Sequence, residues 1–177
     1  MGSMPQPTTL LPVRQRSFAD MSCSLARSLE LVGDWWSPLV LRDLHLGLNR
    51  FDQLVADLGI SRNLLAARLD ALVAGGVVER EPYSARPVRY RYTLTQAGRE
   101  LVPVLLALTA WGDRWATPDG GPPLLLRHDR CGADSSATIC CSACGGPLEA
   151  GEVTVRPGPG ARSAPGTALL STVLPSR

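Results

Sequence analysis

The chain has 177 residues, with 18 basic against 16 acidic side chains and a formal net charge of +2. That length fits one domain of about 100 residues plus a small appendage, and the near balance of charge excludes a polycation acting through net charge alone. No apolar run reaches the ~18 residues that span a bilayer and no signal peptide is visible, so the expected location is the cytoplasm, with no membrane partner.

Residues 1–16 are rich in Pro, Thr and Arg and read as a disordered arm, with Met1-Gly2-Ser3 ahead of Met4 as an expression scar. Between Phe18 and Val32, Leu25, Leu29 and Val32 recur at helical spacing beside Ala26, which predicts a first helix ending near Gly33. Trp35-Trp36 follow. Ser37 then N-caps a second helix, with Pro38 at its first position and Val40, Leu41 and Leu44 along it, up to Gly47. A third helix runs from Arg50 to Leu58 and stops at Gly59. Ser61 caps a fourth, Arg62 to Ala74, whose buried face is Leu65, Leu69, Leu72 and Val73. Two short helices joined by Gly59-Ile60-Ser61 form a helix-turn-helix pattern.

Gly75-Gly76 close the fourth helix, and Val77–Glu81 reads as a strand. Residues 82–87 read as a turn-rich link. Val88, Tyr90, Tyr92 and Leu94 then alternate with Arg89, Arg91 and Thr93, the period-two pattern of a half-buried strand with a basic outer face. All 18 basic residues are arginine, a planar fork suited to phosphates and guanine edges. Three of them, Arg86, Arg89 and Arg91, fall in 84–95 with no acid. A helix-turn-helix followed at once by a basic hairpin is a winged helix, so the expected fold is mainly α with a small β-hairpin (α+β).

Thr95 caps a long helix over 96–116, with Pro103 inside it. Its apolar stripe, Leu101, Leu105, Leu108, Trp111 and Trp115, lies outside the small core and needs a partner. A second copy of the chain is the expected one. Residues 117–123 read as a linker, 124–150 as a cysteine-rich module and 151–177 as a disordered tail.

The segments "CSLARSLELVGDWWSPLVLRDLHLGLNRFDQL" and "GISRNLLAARLDALVAGGVVEREPYSARPVRYRYTLTQAGRELVPVLLALTAWGDRW" resemble the HxlR-type regulators, relatives of the MarR winged-helix group. The resemblance runs from Cys23 to Trp115. It implies a bacterial homodimer, cytoplasmic, that binds near-palindromic double-stranded DNA and regulates transcription. Asp34-Trp35-Trp36-Ser37 departs from the family's usual Gly-Lys-Trp-Thr kind of run and removes a cation there. The cysteine module occurs in only some members.

A recognition helix lies in the major groove with its N-terminal residues on base edges. Ser61, Arg62, Asn63 and Arg68 stand off the apolar face of the fourth helix, and arginine reads guanine while asparagine reads adenine. Arg50 opens the third helix and favours phosphate. Arg86 at the hairpin tip suits the minor groove, and Arg89 and Arg91 suit phosphates. Transcriptional repression, relieved by a small-molecule effector or a redox change, is the function expected. The alternative is a module that docks protein partners through the winged helix and the cysteine element. The four tryptophans either line an effector pocket or pack core and dimer.

Five cysteines, four of them within 131–144, argue against a secreted disulfide framework. His128-x2-Cys131-x9-Cys141-x2-Cys144 has the spacing of a zinc ribbon or knuckle, with Cys140 a competing ligand. Four filled positions make such zinc structural. A redox dithiol at Cys141 and Cys144 is the other reading. Cys23, near the start of the first helix, is either a reactive thiol or a small core residue. The resemblance implies sensing of oxidants or electrophiles there in some regulators. No catalytic constellation is present, and an enzyme is not expected.

Overall fold

The computed structural model describes residues 17–117 and 119–173. The arm and scar read at 1–16, one position of the linker and the last four residues of the tail lie outside the described residues. Four helices come first: α1 (Ser24–Val32), α2 (Ser37–His45), α3 (Phe51–Leu58) and α4 (Arg62–Ala74). The first begins six residues later than the periodicity predicts, with Cys23 as its N-cap. Only Ala26 of its expected inner face is buried; Leu25 remains 68% exposed. α1 lies at the edge of the domain, and the helices it packs against among the described residues are α2 and α4.

The start of α2 also differs from expectation. Trp36 is the N-cap and Ser37 is already helical. The capping oxygens come from Asp34, which accepts the N–H of Trp36 (2.9 Å) and of Ser37 (3.0 Å), and also the Ser37 hydroxyl. The first orphan amides of a helix need such acceptors. At the next turn the prediction holds. Gly59 sits at φ 61°, where a side chain would be strained, and the Ser61 hydroxyl accepts the N–H of Leu64.

The core forms where α2, α3 and α4 meet. Leu41, Leu54, Leu65, Leu69 and Leu72 are fully buried, each contributing roughly 1.5–3 kcal/mol over exposure. Leu65, Leu69 and Leu72 follow the i, i+4, i+7 spacing that places one helix face inward.

Strands β1 (Val78–Ala85) and β2 (Val88–Leu94) form an antiparallel hairpin, from Val78 opposite Leu94 to Ala85 opposite Val88. The segment expected to be a loop, 82–87, is mostly strand, and only Arg86-Pro87 turns. A two-stranded sheet has only edge strands, and a register irregularity between Pro82 and Ser84 accommodates the missing proline N–H. Residues 49 and 50 extend the pairing: Tyr92 donates to the Asn49 carbonyl (2.8 Å), and Arg50 bridges Arg91. Tyr92 and Leu94 reach the core, whereas Val88 and Tyr90 project past it.

Helix α5 (Gln96–Trp115) starts at Thr95, whose hydroxyl accepts the Gly98 N–H, and continues through Pro103. Gly98 is needed for close approach, since a Cβ there would lie 2.1 Å from the Val77 carbonyl oxygen. Val102 is buried, with Leu101, Leu105 and Leu106 packed against the same core.

Beyond α5 no described side chain is buried. Strands β3 (Leu126–His128) and β4 (Ala133–Ser135) form a second antiparallel hairpin. A tight turn at 140–147 follows, then a 3-10 turn (Ala150–Glu152) and a short α6 (Leu170–Val173). The tail returns to the domain, where Pro165 accepts the Ser22 N–H (3.1 Å).

Candidate nucleic-acid interface

The outward face of α4 carries Ser61, Asn63, Ala66, Ala67 and Asp70, all exposed. The two alanines leave that face low enough for a groove floor to approach. Arg62 is exposed at the first helical turn, with its guanidinium 5.0 Å from the centre of the Phe51 ring. That contact orients the arginine between α3 and the wing. There, Phe51, Asp52, Arg62, Tyr83, Arg89, Tyr90 and Tyr92 help line a cleft of about 490 Å³. Arg62 and Arg89 therefore share one concavity, and a backbone bridge sets Arg50 and Arg91 opposite each other on neighbouring segments. Arg86 stands exposed at the hairpin tip.

Arg68 is placed differently from the reading that groups it with Arg62 and Asn63. Its Nε lies 3.3 Å from Oδ1 of Asp34, and the side chain is 29% exposed. The helical rotation explains this. Arg68 is six positions, or roughly 240°, from Arg62, which turns it toward α1 and α2. Arg68 pairs with the turn ahead of α2, a contact that periodicity cannot show because the residue sits just off the apolar face. Two acids in this scheme, Asp34 and Asp70, have contacts that sequence pattern does not reveal. Asp70 pairs with Arg80 of β1 (2.8 Å), and Arg80 also covers the Tyr90 ring at 5.0 Å. Neither pair has a local sequence signal, since Asp70 and Arg80 are ten positions apart on different elements.

A half-buried acid, Asp34, and a fully buried one, Asp43, titrate in opposite directions. Burial raises the Asp34 carboxyl, but hydrogen bonds from Ser37 and Trp36 and the charge of Arg68 outweigh it and hold the group below its ordinary range. Asp43 is fully buried at the end of α2. Burial pushes its carboxyl up, Asp57 adds to the rise, and Arg42 at 2.6 Å opposes it.

On α5 the expected dimer stripe divides. Leu101 and Leu105 face the domain's own core. Leu108, Trp111 and Trp115 are exposed, at 58%, 59% and 66%. Trp111 and Trp115 share a cleft of about 740 Å³ with Ile139 and Leu148 of the cysteine region. Trp35 is fully outside the core and Trp36 is packed against it.

The four candidate metal ligands fall into two pairs. His128 Nδ1 and Cys131 Sγ are 3.3 Å apart. Cys141 Sγ faces Cys144 and the backbone N–H groups of Ala143 and Cys144, which lower its pKa. Among the described residues no three His, Cys, Asp or Glu side chains form one metal-sized cluster, so the expected four-ligand centre is not assembled and only the two pairs are formed. Cys23 is half-buried at the N-terminus of α1, below the returning tail, with Arg27 and Arg162 lining the same cleft.

The exposed N-terminal face of α4, with a basic hairpin beside it, defines a winged helix-turn-helix DNA-binding unit. Residues 31–120 match the HxlR-like helix-turn-helix family. An uncharacterised HTH-type transcriptional regulator of Mycobacterium tuberculosis, Rv3095, is 44% identical over 137 residues, covering 77% of this chain and 87% of that protein. An alignment of that length cannot fit within the first 117 residues, so the similarity extends into the cysteine region. The crystal structure of PA1607, described as a candidate transcription factor, superposes with a TM-score of 0.70 at 34% identity, over 80% of this chain and 99% of that one. The redox regulator HypR in its oxidised form superposes at 0.50 with 29% identity, over 54% of this chain and all of that one. The chain belongs to the HxlR-like helix-turn-helix family and is a transcriptional regulator of that type. No catalytic family is indicated, and no helix among the described residues is long and apolar enough to cross a membrane.

Proposed function

We propose that the protein is a homodimeric repressor that seats two copies of α4 in successive major grooves of a near-palindromic operator. The observation that carries this reading is the placement of Arg62 and Asn63 at the exposed start of α4, flanked by Arg50, Arg89 and Arg91. Arg62 and Asn63 read bases, with Ser61 beside them. Arg50, Arg89 and Arg91 hold phosphates, and Arg86 enters the minor groove. The exposed Leu108, Trp111 and Trp115 supply the apolar face through which the second copy docks. A dimer on promoter DNA blocks transcription by occupancy. Release follows when a small molecule or an oxidant favours a dimer spacing that no longer fits the grooves. The N-cap position of Cys23 makes its thiol the redox candidate, and the solved relative HypR is described as a redox regulator.

The test is fluorescence anisotropy with DNA from upstream of the protein's own gene against a scrambled duplex, at about 0.15 M salt. A preference of ~10³-fold or more, with two chains per site, is expected. Arg62→Ala and Asn63→Ala should each remove about 1–3 kcal/mol of that preference. Equal, weak binding to both duplexes, and to every tiled fragment of the neighbouring promoters, would overturn operator recognition in favour of protein docking.

A further inference from the structure

Residues 124–150 hold together without a core. None of their side chains is buried, and Leu124, Leu125, Ile139 and Leu148 are all exposed. A segment of this size with no apolar interior needs a cross-link to keep one shape.

Its two turns are built alike. In the first, the His128 carbonyl accepts the N–H of Cys131 (3.1 Å) and of Gly132 (2.7 Å). In the second, the Cys141 carbonyl accepts the N–H of Gly145 (2.8 Å), and Cys141 donates to Gly146 (2.7 Å). Each turn thus presents a ligand, two spacer residues, a cysteine and then a glycine. Both glycines take the left-handed conformation, at φ 72° for Gly132 and φ 74° for Gly145. Such a turn curls the backbone so that the first and fourth side chains point to one side. In the first turn the distance agrees: His128 Nδ1 and Cys131 Sγ are 3.3 Å apart. Bonds of about 2.05 Å to nitrogen and about 2.3 Å to sulfur at a tetrahedral angle would separate the two donors by about 3.5 Å.

We propose that His128, Cys131, Cys141 and Cys144 together bind one Zn²⁺ ion, which joins the two turns of the C-terminal module. Three thiolates and one imidazole suit a borderline-soft cation, and four protein ligands leave no open position, so the ion is structural. On binding, the three thiols release their protons to solvent and His128 ligates as neutral imidazole. Cys140 takes no part. It sits in the bridge to Pro147, one residue back from the turn, where successive side chains alternate between faces. The metal's influence reaches α5, because Ile139 and Leu148 at the base of the second turn line a cleft with Trp111 and Trp115.

The full chain, purified under reducing conditions without added metal, should carry one zinc per chain in native mass spectrometry. The stripped protein should take up Co²⁺ with the intense thiolate charge-transfer and tetrahedral d–d bands of a sulfur-rich site. Cys141→Ser and Cys131→Ser should abolish the Co²⁺ spectrum, His128→Ala should weaken uptake by tenfold or more, and Cys140→Ser should leave both unchanged. Thermal melting of the winged helix shows that each variant is folded, since the ligands lie outside its core. Tryptophan emission should shift on stripping and return with Zn²⁺. Three results would overturn the proposal: neither zinc nor Co²⁺ uptake in the reduced protein, full metal content in the His128→Ala/Cys131→Ser double variant, or loss of metal in Cys140→Ser equal to that in Cys141→Ser. A Cys141–Cys144 disulfide with no metal under reducing conditions would replace it with a dithiol.

Discussion

The guanidinium of Arg68 stands 3.3 Å from the carboxylate of Asp34, so the recognition helix is tied to the turn that starts α2. The same carboxylate caps that turn through Trp36 and Ser37. One residue thereby fixes two elements, and removing it loosens both. Asp34→Ala should cost about 1–2 kcal/mol in urea unfolding, the size of a lost cap. Arg68→Ala should lower the unfolding midpoint and weaken operator and random DNA by the same factor. A selective loss on the operator would return Arg68 to base reading.

Asp34 and Asp43 predict opposite pH responses. Asp34 has a depressed folded pKa. Its contribution is present above the ordinary aspartate range near about 4 and is lost as pH falls through the folded value. Asp43 has a raised folded pKa, so its contribution is present at acid pH and is lost as pH rises through that value. Asp34→Asn should therefore be most destabilising at neutral pH and approach the parent protein in acid. Asp43→Asn should gain on the parent as pH rises from acid to neutral. Parallel unfolding curves at several pH values, with no change in either difference, would refute both signs.

The wing should act through charge rather than sequence. Arg89 and Arg91 sit on strand β2 beside Arg62 and Arg50 respectively. Replacing either with Ala should weaken specific and random DNA uniformly and reduce the salt slope of log K by about 1. Anisotropy titrations at several salt concentrations measure this directly. An unchanged slope would place that arginine off the phosphates.

The division of the α5 stripe separates association from folding. Leu108 is 58% exposed and Val104 is 59% exposed, so Leu108→Asp and Val104→Asp should produce a folded monomer in sedimentation experiments, with the melting temperature measured below the dimer's concentration-dependent range unchanged. Leu101 and Leu105 pack on the domain's own core, and Leu105→Asp should instead unfold the chain. Persistence of the dimer in both exposed variants would move the interface to another surface.

Much of this molecule is legible from local pattern. The apolar spacing of Leu65, Leu69 and Leu72, the Ser61 and Thr95 caps and the alternation of residues 88–94 act within one element, where periodicity and hydrogen bonding to the next turn decide the outcome. The paired H-x2-C and C-x2-C spacings are likewise local, and the structure shows each as a turn. What needed the third dimension was every relationship between elements. Helix α1 shows an amphipathic pattern, yet Leu25 stays exposed among the described residues. Pro82 reads as a loop but lies in a strand, because a two-stranded sheet tolerates a missing donor at an irregular edge. The sequence by itself determined the winged helix and its basic hairpin. Only the tertiary structure decided that Arg68 pairs with Asp34, that Leu101 and Leu105 pack on the domain's own core, and that Asp34 starts α2, because burial and ion pairing depend on which surfaces the packed helices bring within a few ångströms of one another.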